Sequence, residues 1–114
     1  MIASMINLAW NSEQVALALK LYADQDYVQH NPFITDGVKP LTDRANAGKL
    51  PQRCYDIQFV LAQNDLVWVY SKVTETDAVN AVVDMFRVRD GKMVEHWDLS
   101  QTVPDDMPHN NGMF

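Results

Sequence analysis

The sequence predicts an α+β domain in which helices come first and an antiparallel meander follows, with the helices packed on one face of a curled sheet. Three observations carry this. Apolar residues recur at helical spacing between Ile2 and Tyr22, the period switches to alternation from Cys54 onward, and turn chemistry at Gln63-Asn64-Asp65 and Asp90-Gly91 separates the alternating runs. With 114 residues and 47% apolar content, the chain has room for one core, so one domain over residues 1–114 is expected.

Each element follows from its local pattern. Ile2, Met5, Ile6 and Ala9 share a helical face, and Val15, Ala18, Leu19 and Tyr22 resume it after Asn11-Ser12, whose side chains suit an N-cap. Tyr27-Val28-Gln29-His30-Asn31-Pro32 cannot prolong a helix, because the residue before proline is pushed out of the α region, and Asp36-Gly37 marks a turn. Pro40 to Ala47 reads as a weak helix with Pro near its start and Gly48 near its end. In the next strand Tyr55, Ile57, Phe59 and Leu61 fall on one face. Leu66 to Thr74 carries Trp68 and Tyr70 on one face and Val67, Val69 and Val73 on the other, so both faces need cover. Val79 to Arg89 and Met93 to Gln101 form a hairpin around Asp90-Gly91.

Composition excludes several functions. A net charge of -6 argues against a nucleic-acid partner, since such binding rests on Lys and Arg neutralising phosphates. No apolar run reaches membrane-spanning length, and Met1 to Trp10 lacks the basic flank and cleavage site of a signal peptide, so a soluble cytoplasmic protein is expected. Cys54 is the one cysteine: it can form neither an internal disulfide nor a thiolate metal site, and it reads as a strand residue. His30, His96 and His109 show no metal-ligand spacing, and no Gly-rich phosphate loop is present, so neither a metal nor a cofactor is expected.

Chemistry concentrates between Val82 and Gln101. Asp84 shares a row with Val82, Phe86 and Val88, where a carboxylate is costly unless paired or hydrated; Asp98 shares one with Val94, His96 and Ser100. Whether the two acids meet depends on the turn, because a slip of one residue moves a whole strand's side chains to the other face. A three-residue loop Arg89-Asp90-Gly91 would pair Asp84 with His96 and Val82 with Asp98, gathering both acids and the imidazole on one side. A two-residue loop Asp90-Gly91 would pair Asp84 with Trp97 and separate them. The first register is the expectation, since it leaves Val83, Met85, Trp97 and Leu99 as a coherent opposite face that favours a homodimer through the outer sheet. Asp98, Asp84 and His96 are then a candidate set for general acid–base catalysis; a purely structural His–Asp bond in a core would share their spacing. His30, Tyr27, Trp68, Tyr70 and Phe86 are the candidate ligand-contacting side chains, although aromatics in strands also serve as core.

The segments Tyr27-Val28-Gln29-His30-Asn31-Pro32, Asp36-Gly37, Val83 through Asp98 and the tail Asn111-Gly112-Met113-Phe114 together resemble the SnoaL-like polyketide cyclase family of the nuclear transport factor 2-like superfamily. The resemblance runs from about Met5 to the C-terminus. It implies a conical, strongly bent antiparallel sheet wrapped with helices around a deep pocket, a small hydrophobic or carbonyl-containing ligand, and Asp98 as the acid/base. It also places Asp84 where the cyclases carry a histidine, and it makes the segment between Gly37 and Pro51 short. The superfamily holds isomerases, dehydratases, epoxide hydrolases and binding modules, so reaction type must be argued from the site.

Overall fold

The computed structural model describes all 114 residues, Met1 to Phe114. Helix α1 (Ile2–Ile6) runs into a π-helical turn (Asn7–Asn11), where the Ser12 amide donates to the Asn7 carbonyl five residues back at 2.9 Å. Helix α2 (Val15–Tyr22) follows. The expected cap at Asn11-Ser12 is not formed: Gln14 occupies the N-cap of α2 without a side-chain bond. Asn11 instead accepts from the Tyr55 amide (2.6 Å) and donates to the Tyr55 carbonyl (2.9 Å). One amide side chain satisfying both backbone groups of a distant residue outweighs a single local cap bond, and it fixes the helical hairpin to the start of β2.

The remaining elements are β1 (Ala23–Gln29), α3 (Lys39–Asn46), β2 (Cys54–Gln63), β3 (Leu66–Thr74), β4 (Val79–Arg89) and β5 (Lys92–Thr102), and the strands form one sheet of order β1-β5-β4-β3-β2. The fold is α+β with a curved sheet, and the sheet is mixed. Four strands form the antiparallel meander, while β1 adds at the edge parallel to β5, pairing Val28 with Glu95 and Gln29 with His96. Ile2, Met5, Ile6, Ala9, Val15, Ala18 and Leu19 of the helical segments pack against Tyr27, Val69, Phe86 and Met93 of the concave face. That packing is the core, and it holds the helices against the concave face of the sheet.

Two bulges set which side chains reach this face. At the β4–β5 hairpin the loop has two residues, Asp90 (φ 51°) and Gly91 (φ 76°), and Arg89 pairs with Lys92, so the three-residue loop of the sequence reading is corrected. An Asp-Gly pair accepts the doubly left-handed turn that matches strand twist, and this removes any need for a longer loop. The extra residue lies in the strand: between Val88↔Met93 and Arg87↔Glu95, Val94 bulges. Beyond it Phe86 faces His96 and Asp84 faces Asp98, while Val82 faces Ser100. Asp84, His96 and Asp98 therefore do share a face, with different partners from those expected. The second bulge, at Gln58, divides the row read as Tyr55, Ile57, Phe59 and Leu61. Tyr55 and Ile57 pair with Val73 and Ser71 on the concave side, whereas Phe59 and Leu61 pair with Tyr70 and Trp68 on the convex side.

Candidate functional site

Between the helices and the concave face lies a cavity of about 280 Å³, lined mostly by apolar side chains. Its polar floor is built by β1, β4 and β5. The extended run from Tyr27 puts Tyr27, Gln29 and Asn31 on the cavity side and turns Val28 and His30 outward, because successive strand side chains alternate. Across β5 and β4, the same alternation delivers His96 and Asp98 beside Phe86 and Asp84.

The hydrogen bonds of this floor define each group's role. The Asn31 amide N–H donates to Gln29 Oε1 at 2.9 Å, which identifies that atom as the carbonyl oxygen. His96 Nδ1 lies 2.8 Å from the same oxygen, so Nδ1 carries a proton and donates it. On the other side of the ring, His96 Nε2 lies 2.9 Å from Asp84 Oδ1. A neutral imidazole has one N–H, and it is already committed to Gln29. The Nε2···Oδ1 contact therefore holds one further proton, either on nitrogen as imidazolium or on oxygen as carboxylic acid. Asp84 is 6% exposed, so water cannot replace that contact cheaply.

Asp98 is held differently. Asn31 Nδ2 donates to both carboxylate oxygens at 2.9 Å, and its orientation is set by Asn31 Oδ1 accepting the Phe33 amide at 2.9 Å. Asp98 thus stands as an acceptor directly across from Asp84. Like charges facing each other across a strand pair repel, and the His96 proton and the Asn31 amide offset this. Donor atoms of Asp84, His96 and Asp98 all lie within 4.8 Å of one another, compact enough for a cation as well as for a shared proton. Tyr55 adds a phenol to the lining; burial, and then the negative charge of Asp84, raises its pKa above the ordinary tyrosine value, so it stays a hydrogen-bond donor. Burial also raises that of Tyr27.

Of the residues singled out from the sequence, Asp84, His96, Asp98, Tyr27 and Phe86 line this one cavity. His30, Trp68 and Tyr70, also expected to contact ligand, are not among its lining residues. His30 stacks on Trp97 with ring centroids 4.7 Å apart and places Nε2 2.7 Å from Glu95 Oε2, on the convex face. Trp68 is 49% exposed on that face. Tyr70 donates its hydroxyl to the Met113 carbonyl, and its ring meets Phe114, so the C-terminal tail covers it. Gln29, Asn31 and Tyr55 are cavity residues that the sequence does not single out, as are Arg44 and Arg53. The first two share the parity of Tyr27, a signal available once the segment is taken as a strand.

Comparison with known proteins agrees with this architecture. A protein of Acidithiobacillus ferrooxidans to which a polyketide cyclase role is ascribed superposes with a TM-score of 0.71 at 17% identity, covering 87% of this chain and 84% of that one. An LEH-like epoxide hydrolase of Mycobacterium tuberculosis gives 0.71 at 14% identity, covering 88% and 79%. A nuclear transport factor 2-like protein of unknown function from Cytophaga hutchinsonii gives 0.71 at 10% identity, covering 88% and 86%. At such identities the likeness shows the fold. No curated protein matches the sequence significantly. No helix is long and apolar enough to cross a membrane. The model of the SnoaL-like domain matches residues 2–96, which include every floor residue except Asp98, and on this match the chain belongs to the SnoaL-like family.

Proposed function

We propose that the chain is a small-molecule enzyme working by cofactor-independent acid–base chemistry of aldol cyclase, isomerase or hydrolase type, with the cavity as its active site. The observation that carries this reading is the line Gln29–His96–Asp84, in which one imidazole sits between two acceptor oxygens and shares a single proton with a buried carboxylate. A proton held between groups of this kind can be given to a substrate oxygen or taken back. Asp98, 2.9 Å from the Asn31 amide nitrogen and without another protein partner, is the base. For a ketone in the cavity, Asp98 takes a proton from the carbon next to the carbonyl, and the electron pair moves onto the carbonyl oxygen. The Tyr55 hydroxyl and the His96–Asp84 proton stabilise that oxygen. The enolate then attacks a second carbonyl to close a ring, the new alkoxide taking the proton back from Asp98, or it is reprotonated at carbon by Asp98. In a hydrolase the same carboxylate would take its proton from water.

A test follows from the first step. Small cyclic ketones incubated with the protein in D2O should gain deuterium next to the carbonyl, as read by NMR. Asp98→Asn should slow the exchange by about 100-fold or more with unchanged thermal unfolding. If a ketone shifts the resonances of cavity residues and yet exchanges no faster with the wild type than with Asp98→Asn, the enzyme reading falls and a non-catalytic binding module stands.

A homodimer through the convex sheet face belongs to the same proposal. Phe59, Leu61, Trp68 and Leu99 are between 49% and 69% exposed there, an apolar patch of the kind that calls for a cover. Sedimentation should give twice the chain mass of 13.0 kDa, and Leu99→Glu should lower it; a wild-type monomer at high concentration removes the dimer.

A further inference from the structure

The cavity lining carries charge of both signs. Its acidic floor is Asp84, His96 and Asp98, with Asp84 6% exposed and the His96 side chain 12% exposed. Two arginines, Arg44 and Arg53, line the same cavity. Arg44 lies in the last turn of α3 and is exposed. It has no carboxylate partner, although the chain holds 15 acidic against 9 basic residues. The residues one turn away, Pro40, Leu41, Ala47 and Gly48, carry no acid, and the adjacent Asp43 is engaged by Lys39 at 2.8 Å. Arg53 lies with its guanidinium carbon 4.8 Å from the centre of the Trp10 ring, itself part of the lining, and uses only its Nε, 2.9 Å from Glu75 Oε1. Its terminal nitrogens make no protein hydrogen bond. Most of the remaining lining is apolar, with Phe33, Ile34, Leu41, Leu50 and Pro51 among it.

We infer that the ligand of this cavity is an amphipathic organic monoanion, an apolar body ending in a carboxylate that Arg44 and Arg53 hold while the reacting group faces Asp84, His96 and Asp98. The forked donors of arginine fit a carboxylate geometrically, and a guanidinium stacked on an aromatic ring is already oriented for it. The charge count favours a single negative charge: Arg44 and Arg53 supply two positive charges and Glu75 removes one. A phosphate monoester, near two negative charges at neutral pH, would be left undercompensated. The charges of the lining also give the ligand one orientation, since a carboxylate set against Asp84 and Asp98 would meet two aspartates. The inference rests on the acid–base cavity as the binding site, but it is read by affinity and not by turnover.

The probes are naphthalene-2-carboxylate, its neutral carboxamide and 2-naphthyl phosphate, each titrated by NMR at 50 and 500 mM NaCl. The carboxylate should bind about tenfold more tightly than the carboxamide at low salt, the size expected of one charge-assisted pair at a partly exposed site, and the preference should shrink at high salt. Arg44→Ala should erase the preference and leave carboxamide affinity unchanged, and Arg44→Lys should restore part of it. Equal binding of carboxylate and carboxamide by the wild type overturns the inference, as does an Arg44→Ala variant that weakens both alike or a phosphate that binds most tightly. Absence of any probe from the cavity overturns the inference together with the cavity reading. A carboxylate preference that persists while Asp98→Asn leaves ketone exchange unchanged supports the monoanion and removes only the acid–base step.

Discussion

Strands β1, β4 and β5 carry one polar network on each face, and the two differ in a way that bears on function. On the convex face, Glu95 accepts from Arg87 Nε at 2.9 Å and meets His30 at 2.7 Å, Arg87 reaches Asp65 at 3.0 Å, and the Arg87 and His30 groups lie against Trp97. On the concave face there is one His–Asp pair, and the rest are amide contacts. The convex face has more ion pairs, yet its members keep between 22% and 46% of their side-chain surface in water, against 9% for Asp84 and 12% for His96. Exposed pairs exchange water for one another at little gain, whereas a buried donor or acceptor that loses its partner keeps its desolvation cost. Number of charges and energetic weight thus run in opposite directions across one sheet.

Substitutions that separate partner from charge sharpen this contrast. Asp84→Ala leaves His96 Nε2 facing an apolar gap and should lower the unfolding free energy by about 2 kcal/mol, measured by urea titration. Asp84→Asn should lose much less, because the new amide can donate to Nε2 of a neutral imidazole that still donates through Nδ1 to Gln29. The same variant removes the transferable proton, so it should retain the fold and lose ketone exchange. Equal destabilisation by both changes would show that charge, and not hydrogen-bond complementarity, holds the floor together. Gln29→Ala should come next, at about 1 kcal/mol, since it unpairs both His96 Nδ1 and the Asn31 amide. Arg87→Ala on the convex face should cost less than half of what Asp84→Ala costs; a comparable loss would erase the distinction between the faces.

Much of this arrangement was legible in the sequence, and the failures have physical causes. Strands β3 and β4 have the expected bounds, Leu66–Thr74 and Val79–Arg89, because turn residues bracket strongly alternating runs. The bulges at Gln58 and Val94 were not legible: both strands present apolar side chains on each face, so a parity change leaves the pattern equally plausible. The shared face of Asp84 and Asp98 was nevertheless anticipated, since an extra residue in the strand restores the same parity as an extra residue in the loop. β1 is not legible because Ala23–Gln29 holds few strand formers and its parallel partner lies far along the chain. Without that strand the sequence offers no parity to distinguish His30 from Gln29 and Asn31, one residue to either side.

The smallest expected effect is the pH response of the convex cluster. The hydrogen bond from His30, and then that from Arg87, holds the Glu95 carboxyl below its ordinary value of 4.5. A carboxyl with a depressed pKa in the folded state contributes stability that is complete above its unfolded value and disappears as pH falls through the folded one. Wild type should therefore be slightly more stable than Glu95→Gln at pH 7, and the difference should persist down to about pH 4.5 and vanish below the depressed value. Asp84→Ala offers the contrast: its loss comes from an unpartnered buried group and is already present at pH 7. Urea titrations of the three proteins at pH 7, 4.5 and 3 separate the two behaviours. A Glu95→Gln difference that grows as the pH falls from 4.5 to 3 would have the wrong sign for a carboxylate stabilised by its cations, and it would remove the ion pairs from any account of the convex face.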